Sequence, residues 1–272
     1  MRMRKPVLKD STLVVRDRVA LITFGRDDVR NALTGTELVK DLLQTLAWVN
    51  SAEEVSVLVM TGAGSAFSSG GNVREMRDKS GIFGGSVQQI QDQYRRGIQR
   101  IPLAMEATEV PLIAAVNGPA IGAGFDLACM CDLRLASSSA VMGETFVNLG
   151  IIPGDGGAWF LQRLIGYQRA AELTLTGRLI TAPEALNLGI VLEVTEPENL
   201  LGRALELAAQ IAAKPPRATR LTKRLLKYAQ RGTLPDFLDL CACFQGMAHH
   251  TDDHAEAVTA FLEKRPGNYS GS

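Results

Sequence analysis

No run of about 18 consecutive apolar residues occurs in this chain, so no segment has the length of a membrane-spanning helix. The basic start, MRMRK, is followed by Pro6 and a charged, mixed segment, and the apolar stretch of a secretory signal is missing. An excess of charge is missing too. Lys and Arg total 29 and Asp and Glu total 29, which leaves no net charge and none of the basic excess of a nucleic-acid binder. These absences lead to the expectation of a soluble cytoplasmic protein with neither nucleic acid nor membrane as a partner. Cysteine and histidine are also scarce. The four cysteines form two CxC pairs, Cys129/Cys131 and Cys241/Cys243, and lack the CxxC spacing of a zinc ribbon. Each pair sits in an apolar segment, where a free Cys acts as a small hydrophobe. All three histidines fall in HHTDDH (His249, His250, His254). A helix capped by Thr251 or Asp252, with acids at its positive end, explains that segment better than a metal does.

Nucleotide and hydrolase motifs are absent in specific ways. Gly122-Ala123-Gly124-Phe125-Asp126-Leu127 lacks the third Gly of a dinucleotide fingerprint. No Gly-Lys-Ser/Thr follows a glycine loop, and no G-x-S-x-G elbow occurs. No low-complexity linker divides the chain, and no repeat has a fixed solenoid period.

What is present is a β-rich first half and a helical second half. TLVVRDRVALITF reads as two strands around a turn, and 55–62, 111–118, 133–136 and 141–146 read as further short strands. Helices are expected over 36–49, over 87–105 with a loosening near Pro102, and from Ala123. From about Gly157 the pattern is helical, with one strand near 190–194. Helical spacing recurs over 204–213, 218–228, 234–247 and 253–264. Two buried strands run into loops of small residues, GAGSAFSSGGNV (62–73) and NGPAIGAG (117–124). Loops so placed can each aim a main-chain N–H at one point and hold the oxygen of a carbonyl that becomes an enolate or a tetrahedral anion. A helix opening at Ala123 would add its positive end there.

These segments, with RNAL (30–33), VLVMTGAGSAFSSGGNVREM (57–76), AAVNGPAIGAGFDLACMCDLRLAS (114–137), LGIIPGDGG (149–157) and TAFLEKR (259–265), resemble the crotonase, or enoyl-CoA hydratase/isomerase, superfamily over nearly the whole chain. The resemblance implies an α/β fold: a spiral of β-β-α units over 1–198 carrying an acyl-CoA site, and a C-terminal helical region over 199–272 that builds a homotrimer or a dimer of trimers. It implies oxyanion donors at the N–H groups of Ser68 and Ala123. It also implies coenzyme A contacts at Val29, Arg30, Ser68 and Gly70, and at Phe261 and Lys264 toward a neighbouring subunit. No cofactor or metal is implied beyond the coenzyme A of the substrate.

The acids depart from the family's pattern. Two glutamates serve a hydratase of this family; the first position is Asp126 here and the second is Phe146, which cannot carry a proton. Were 141–146 a strand, Glu144 would share a face with Phe146 and approach the site from one pleat away. Asp155, in PGDGG, either caps the following helix or joins the chemistry. Asp126, Glu144 and Asp155 are therefore the candidate catalytic acids, serving enoyl-CoA hydration or double-bond migration through an enolate. The alternatives are a non-catalytic acyl-CoA binder, suggested by Phe146, and a C–C bond (β-diketone-type) hydrolase, suggested by Asp155. The segment 70–91 is expected to border the acyl pocket, and its glycines Gly81, Gly84 and Gly85 suggest mobility.

Overall fold

Val57-Leu58-Val59-Met60 carries no polar side chain, and such a strand can only be covered on both faces. A computed structural model describing residues 3–272 shows how; Met1 and Arg2, part of the basic start, lie outside the described residues. The strands are β1 (Ser11–Arg16), β2 (Val19–Phe24), β3 (Val57–Gly62), β4 (Leu112–Val116), β5 (Ala120–Ile121), β6 (Leu133–Ser137), β7 (Val141–Gly143), β8 (Ile180–Thr181) and β9 (Glu193–Thr195). A six-stranded sheet runs in the order β1-β2-β3-β4-β6-β9, antiparallel only between β1 and β2. A smaller sheet, β5-β7-β8, stands beside it. The helices are α1 (Leu38–Ser51), α2 (Val73–Arg77), α3 (Val87–Arg96), α4 (Arg100–Ala107), α5 (Ala123–Cys129), α6 (Gly157–Ile165), α7 (Tyr167–Thr176), α8 (Ala182–Asn187), α9 (Pro197–Ala212), α10 (Pro216–Ala229), α11 (Leu234–His249) and α12 (Asp252–Glu263). None among the described residues is long and apolar enough to cross a membrane.

Alternation along the strands divides the core in two. Leu58, Met60, Ala114 and Val116 face the larger half, with Leu42, Leu46 and Val49 of α1 and Ile101 and Met105 of α4. Val57, Val59, Ile113 and Ala115 face α9, which presents Leu200, Ala204, Ala208 and Ala212 at four-residue spacing. Those alanines let the helix lie close to the sheet.

The helix expected over 87–105 is two helices. It breaks at Gly97, at φ −108° and ψ −111°, and Pro102 lies in the first turn of α4, where a missing N–H costs nothing. The strand expected over 141–146 stops at Gly143, and Phe146–Leu149 is a 3-10 turn. Glu144 and Phe146 therefore do not share a strand face, and the route proposed for Glu144 on that ground is wrong. Thr251 does cap α12, its hydroxyl accepting from His254 N–H at 3.1 Å. Cys129 and Cys131 are buried, but Cys243 is exposed and so is not the core residue its segment suggested.

One row of cations seats α10. The Arg220 guanidinium donates to the carbonyls of Val49, Asn50, Ala52 and Val55 around the end of α1. Lys227 donates to Met105 and Glu106 at the end of α4. Between them Lys223 donates to the Val110 carbonyl at 2.8 Å and pairs with Asp132 at 2.6 Å. Helix C-termini leave carbonyls without internal partners, and these side chains supply the donors.

Candidate active site

The backbone of two loops meets where β3 and β4 end. β5 runs parallel to β7, and Ala120 also bridges to Ser68, which ties the 62–73 loop to the 117–124 loop. Gly122 N–H donates to Gly143 O at 2.8 Å. Its φ of 53° with ψ of −123° is a region open essentially to glycine. Ala123 then opens α5, and its N–H, as the first of a helix, has no internal acceptor. Gly70, at φ +72°, lies directly against it: a Cβ there would come within 2.9 Å of Ala123 N and 2.5 Å of Ile121 O.

Ser68 does not supply the second donor. Its N–H is spent on the Pro119 carbonyl at 3.2 Å, its hydroxyl donates to Asn31 O at 2.8 Å, and the residue is fully buried. Three residues further on, Gly71 N–H has no acceptor among the described residues and adjoins the glycine packed on Ala123. Ala123 and Gly71 are thus two free donors where Gly70 brings the loops together. The adjacent glycines Gly70 and Gly71 are the sequence signal that would have found the second donor. Ser69 anchors the same loop, its N–H donating to Arg30 O at 2.9 Å and its hydroxyl to Val29 O at 3.2 Å. Val29 and Arg30 consequently border this loop. Met76 and Phe83 approach Gly71, and Phe83 meets Tyr94 edge-to-face at 6.4 Å, so the 70–91 segment does stand at this site. Phe261 is 82% exposed beside Arg18 and Ala213 at the other end of the chain, and neither it nor Lys264, the residue ending α12, joins the acids within one chain.

The three candidate acids, by contrast, converge. Asp126, Glu144 and Asp155 are 0%, 1% and 4% exposed. Asp126 projects from α5 one turn after Ala123. Glu144 enters just after β7. Asp155 comes from the turn before α6, where it is not a helix cap, since Gly156 holds that position and no side chain caps it. The main chain of Gly157 is pressed against the Asp126 carboxyl so closely that a Cβ would fall 2.3 Å from Oδ1. No hydrogen-bond partner stands at either Asp126 oxygen or at Glu144 Oε1, and the carboxyls of Asp155 and Glu144 lie near enough to act on the Asp126 charge. Thr174 Oγ1, from α7, donates to Glu144 Oε2 at 2.5 Å.

Neighbouring carboxyls can bond to one another only when one of them carries a proton. Burial, then the charges of Asp155 and Glu144, push the Asp126 pKa well above its ordinary value. Burial raises Glu144 and Asp155 as well, against the Thr174 hydroxyl bond at Glu144 and the Asp126 bond at Asp155. Like charges so close, without a cation, do not all ionise, and the trio titrates as a unit. Tyr94 is raised by burial and by the Asp155 charge, which places its phenol near the trio. The Phe146 ring packs at 3.6 Å from where a Gly122 Cβ would lie, so an apolar wall faces the loop that carries Ala123. Among the described residues no cluster of three or more His, Cys, Asp or Glu has the arrangement of a metal site.

Free main-chain donors beside buried carboxyls that resist ionising suit an enzyme that stabilises charge on an oxygen while protons move. Comparison with known proteins agrees. The family model for enoyl-CoA hydratase/isomerase matches residues 15–272. The chain is 36% identical over 270 residues to a short-chain-enoyl-CoA hydratase of Clostridium acetobutylicum, covering 95% of this chain and 96% of that one. It is 34% identical to a crotonyl-CoA hydratase of Syntrophomonas wolfei, over 93% and 95% of the two chains. A crystal structure of a putative enoyl-CoA hydratase from Streptomyces coelicolor superposes with a TM-score of 0.91 at 33% identity, covering 99% of this chain and 97% of that one. The chain belongs to the enoyl-CoA hydratase/isomerase family, with the crotonase fold, and is an enzyme of that family.

Proposed function

We infer that the protein moves protons on an enoyl-CoA or related acyl-CoA thioester through an enolate, and that double-bond migration is its reaction. The observation that carries this reading is the buried trio. A proton taken from one carbon of the acyl chain can be held among Asp126, Glu144 and Asp155 and returned to another, with no water consumed. The thioester oxygen rests against the N–H groups of Ala123 and Gly71, and one such donor is worth about 3–4 kcal/mol in the transition state. Asp126, one turn from Ala123, exchanges the proton with the substrate; a raised pKa suits a group that both takes and gives it.

Hydration is the second reading, favoured by the hydratase names of the relatives. It requires a carboxylate to activate water, and Phe146 stands at the family's second glutamate position, so Glu144 or Asp155 must serve. Coenzyme A enters as part of the substrate, its adenine toward Val29 and Arg30, and no further cofactor is invoked. The helical region 199–272 joins three chains, singly or as a dimer of trimers, and carries Phe261 and Lys264 to a neighbour's coenzyme A. The cytoplasm is the compartment this reading assigns.

The test incubates 2-enoyl, 3-enoyl and 2,4-dienoyl-CoA thioesters with wild type and Asp126→Asn in deuterated, heavy-oxygen water, followed by mass spectrometry. Isomer formation with deuterium uptake, abolished in Asp126→Asn, is expected. Incorporation of heavy oxygen instead establishes hydration. No exchange and no conversion on any substrate refutes the enolate reading.

A further inference from the structure

We propose that Thr174 is a positioning residue for the proton-holding acids, fixing the Glu144 carboxyl so that one oxygen is satisfied by the hydroxyl and the other is left for Asp126. The proposal rests on the proton-transfer reading above. It draws on three observations. Thr174 Oγ1 donates to Glu144 Oε2 at 2.5 Å, the one hydrogen bond that any protein donor makes to either oxygen of Glu144 among the described residues. Glu144 Oε1 is buried without such a partner, and the carboxyl toward which it can turn is that of Asp126. Thr174 sits on α7, an element that contributes no acid to the site and bears against the turn at Phe146–Leu149. That packing brings its hydroxyl to the end of β7, where Glu144 enters.

The physical consequence concerns where the shared proton resides. A carboxyl that accepts a hydroxyl bond is held toward its ionised form. With Oε2 so engaged, Glu144 accepts the Asp126 proton instead of offering its own, and Asp126 is kept as the acid that carries it. The titratable groups bearing on Glu144 are Asp126 on α5 and Asp155 on the turn before α6, together with Cys129 on α5, whose thiol senses the Glu144 charge. None of them is a cation, so among the described residues the Thr174 hydroxyl is the one group besides Asp126 that favours a negative Glu144. Without it, burial and Asp155 both drive Glu144 toward protonation, and the trio would hold its proton on the wrong carboxyl.

The experiment compares pH–rate profiles of wild type, Thr174→Val and Thr174→Ser, with Asp126→Asn as reference. The substrate is the thioester most rapidly converted in the panel. In Thr174→Val the acid limb of kcat should move upward by about one pH unit, the scale of a single hydrogen bond to an ionised carboxylate, while KM stays within about twofold. Thr174→Ser should restore the limb, because it returns the donor. Circular dichroism melts accompany each variant. A merely structural threonine would, in Thr174→Val, lower activity evenly across pH or change KM without moving the limb, and that outcome overturns the proposal; so does a Thr174→Ser limb displaced as far as that of Thr174→Val. If Thr174→Val melts too low to assay, the Ser variant and a Thr174→Cys variant, whose thiol is the weaker donor, carry the comparison, and an unshifted Cys profile overturns it. Loss of activity in Asp126→Asn with an unshifted Thr174→Val profile refutes this inference alone. Retained activity in Asp126→Asn refutes the proton-transfer reading beneath it.

Discussion

Asp126 is a burden on the folded chain, and this makes its role testable by stability as well as by rate. Its carboxyl has a folded pKa raised above that of an unfolded aspartate, so the folded state holds more protons than the unfolded one as pH climbs from about 4. Stability contributed by the protonated form is full below that pH and is lost as pH rises through the raised folded value. Asp126→Asn, which keeps the shape and removes the titration, should therefore gain in melting temperature relative to wild type as pH rises from 4 to 8, while losing activity by about 10²-fold or more. Melts of both proteins across that range decide the point; a gap that shrinks with pH contradicts the buried, proton-holding assignment. Gly157 gives a second check at the same scale. A methyl group there would fall 2.3 Å from Asp126 Oδ1, so Gly157→Ala must displace the carboxyl or the start of α6. Overpacking of this kind typically costs about 1–3 kcal/mol. The chain should still fold, and kcat should fall far more than stability does. A variant that retains wild-type kcat would show that the carboxyl has room to move and that its placement matters little.

At the scale of elements, α10 is held by charges more than by apolar area, and Lys223 carries the clearest signature. It is buried, and desolvation brings its pKa down from 10.5 to about 8 although Asp132 opposes the shift. Between those values the unfolded state holds more protons than the folded one, so stability rises with pH over that window. Lys223→Met lacks this titration. Denaturant unfolding of both proteins at pH 7.5 and 10 should show wild type gaining on the variant at the higher pH; equal slopes would place the lysine in water. None of this was readable in the sequence, where Lys223 is one basic residue among many in a helix. The strands of the large sheet were readable because burial on both faces leaves unbroken apolar runs such as Val57–Met60. Asp126 and Asp155 were readable as candidates through their place beside glycine-rich segments, and Glu144 through its place two residues before Phe146. Their geometry was not. Glu144 was expected to reach the site along a strand, but the strand ends at Gly143, where pairing with both β5 and β8 has run out. Ser68 was named as a donor from its place in the family's motif, whereas the parallel bridge to Ala120 uses its N–H and leaves a free one at Gly71. Such allocations of hydrogen bonds depend on which strand lies alongside, and a single strand's sequence does not encode its neighbour.

For the whole molecule, the outstanding fact is how much apolar surface the C-terminal helices leave uncovered: Leu226, Leu234, Leu238, Met247, Val258, Phe261 and Leu262 are all large and exposed. An isolated chain gains nothing by this, and patches of that kind mark contact surfaces. The trimer proposed above would cover them and would carry the end of α12 to another chain's coenzyme A. In that assembly Lys264 would act across the interface as a point charge for phosphate. Lys264→Glu should raise KM for a coenzyme A thioester while leaving kcat for the matching short pantetheine thioester, which lacks the distal phosphates, unchanged. A mixture decides whether the lysine serves its own chain or the next. Asp126→Asn chains lack the acid but keep Lys264; Lys264→Glu chains keep the acid but lack the lysine. If the lysine reaches a neighbour, unfolding and refolding the two together at equal amounts should leave about one site in four with both groups, as random assembly around a threefold axis requires. Activity at low substrate should then exceed the mean of the two separate preparations. Activity equal to that mean would place Lys264 at its own chain's site or at none, and the exposed apolar face of α12 would need another purpose.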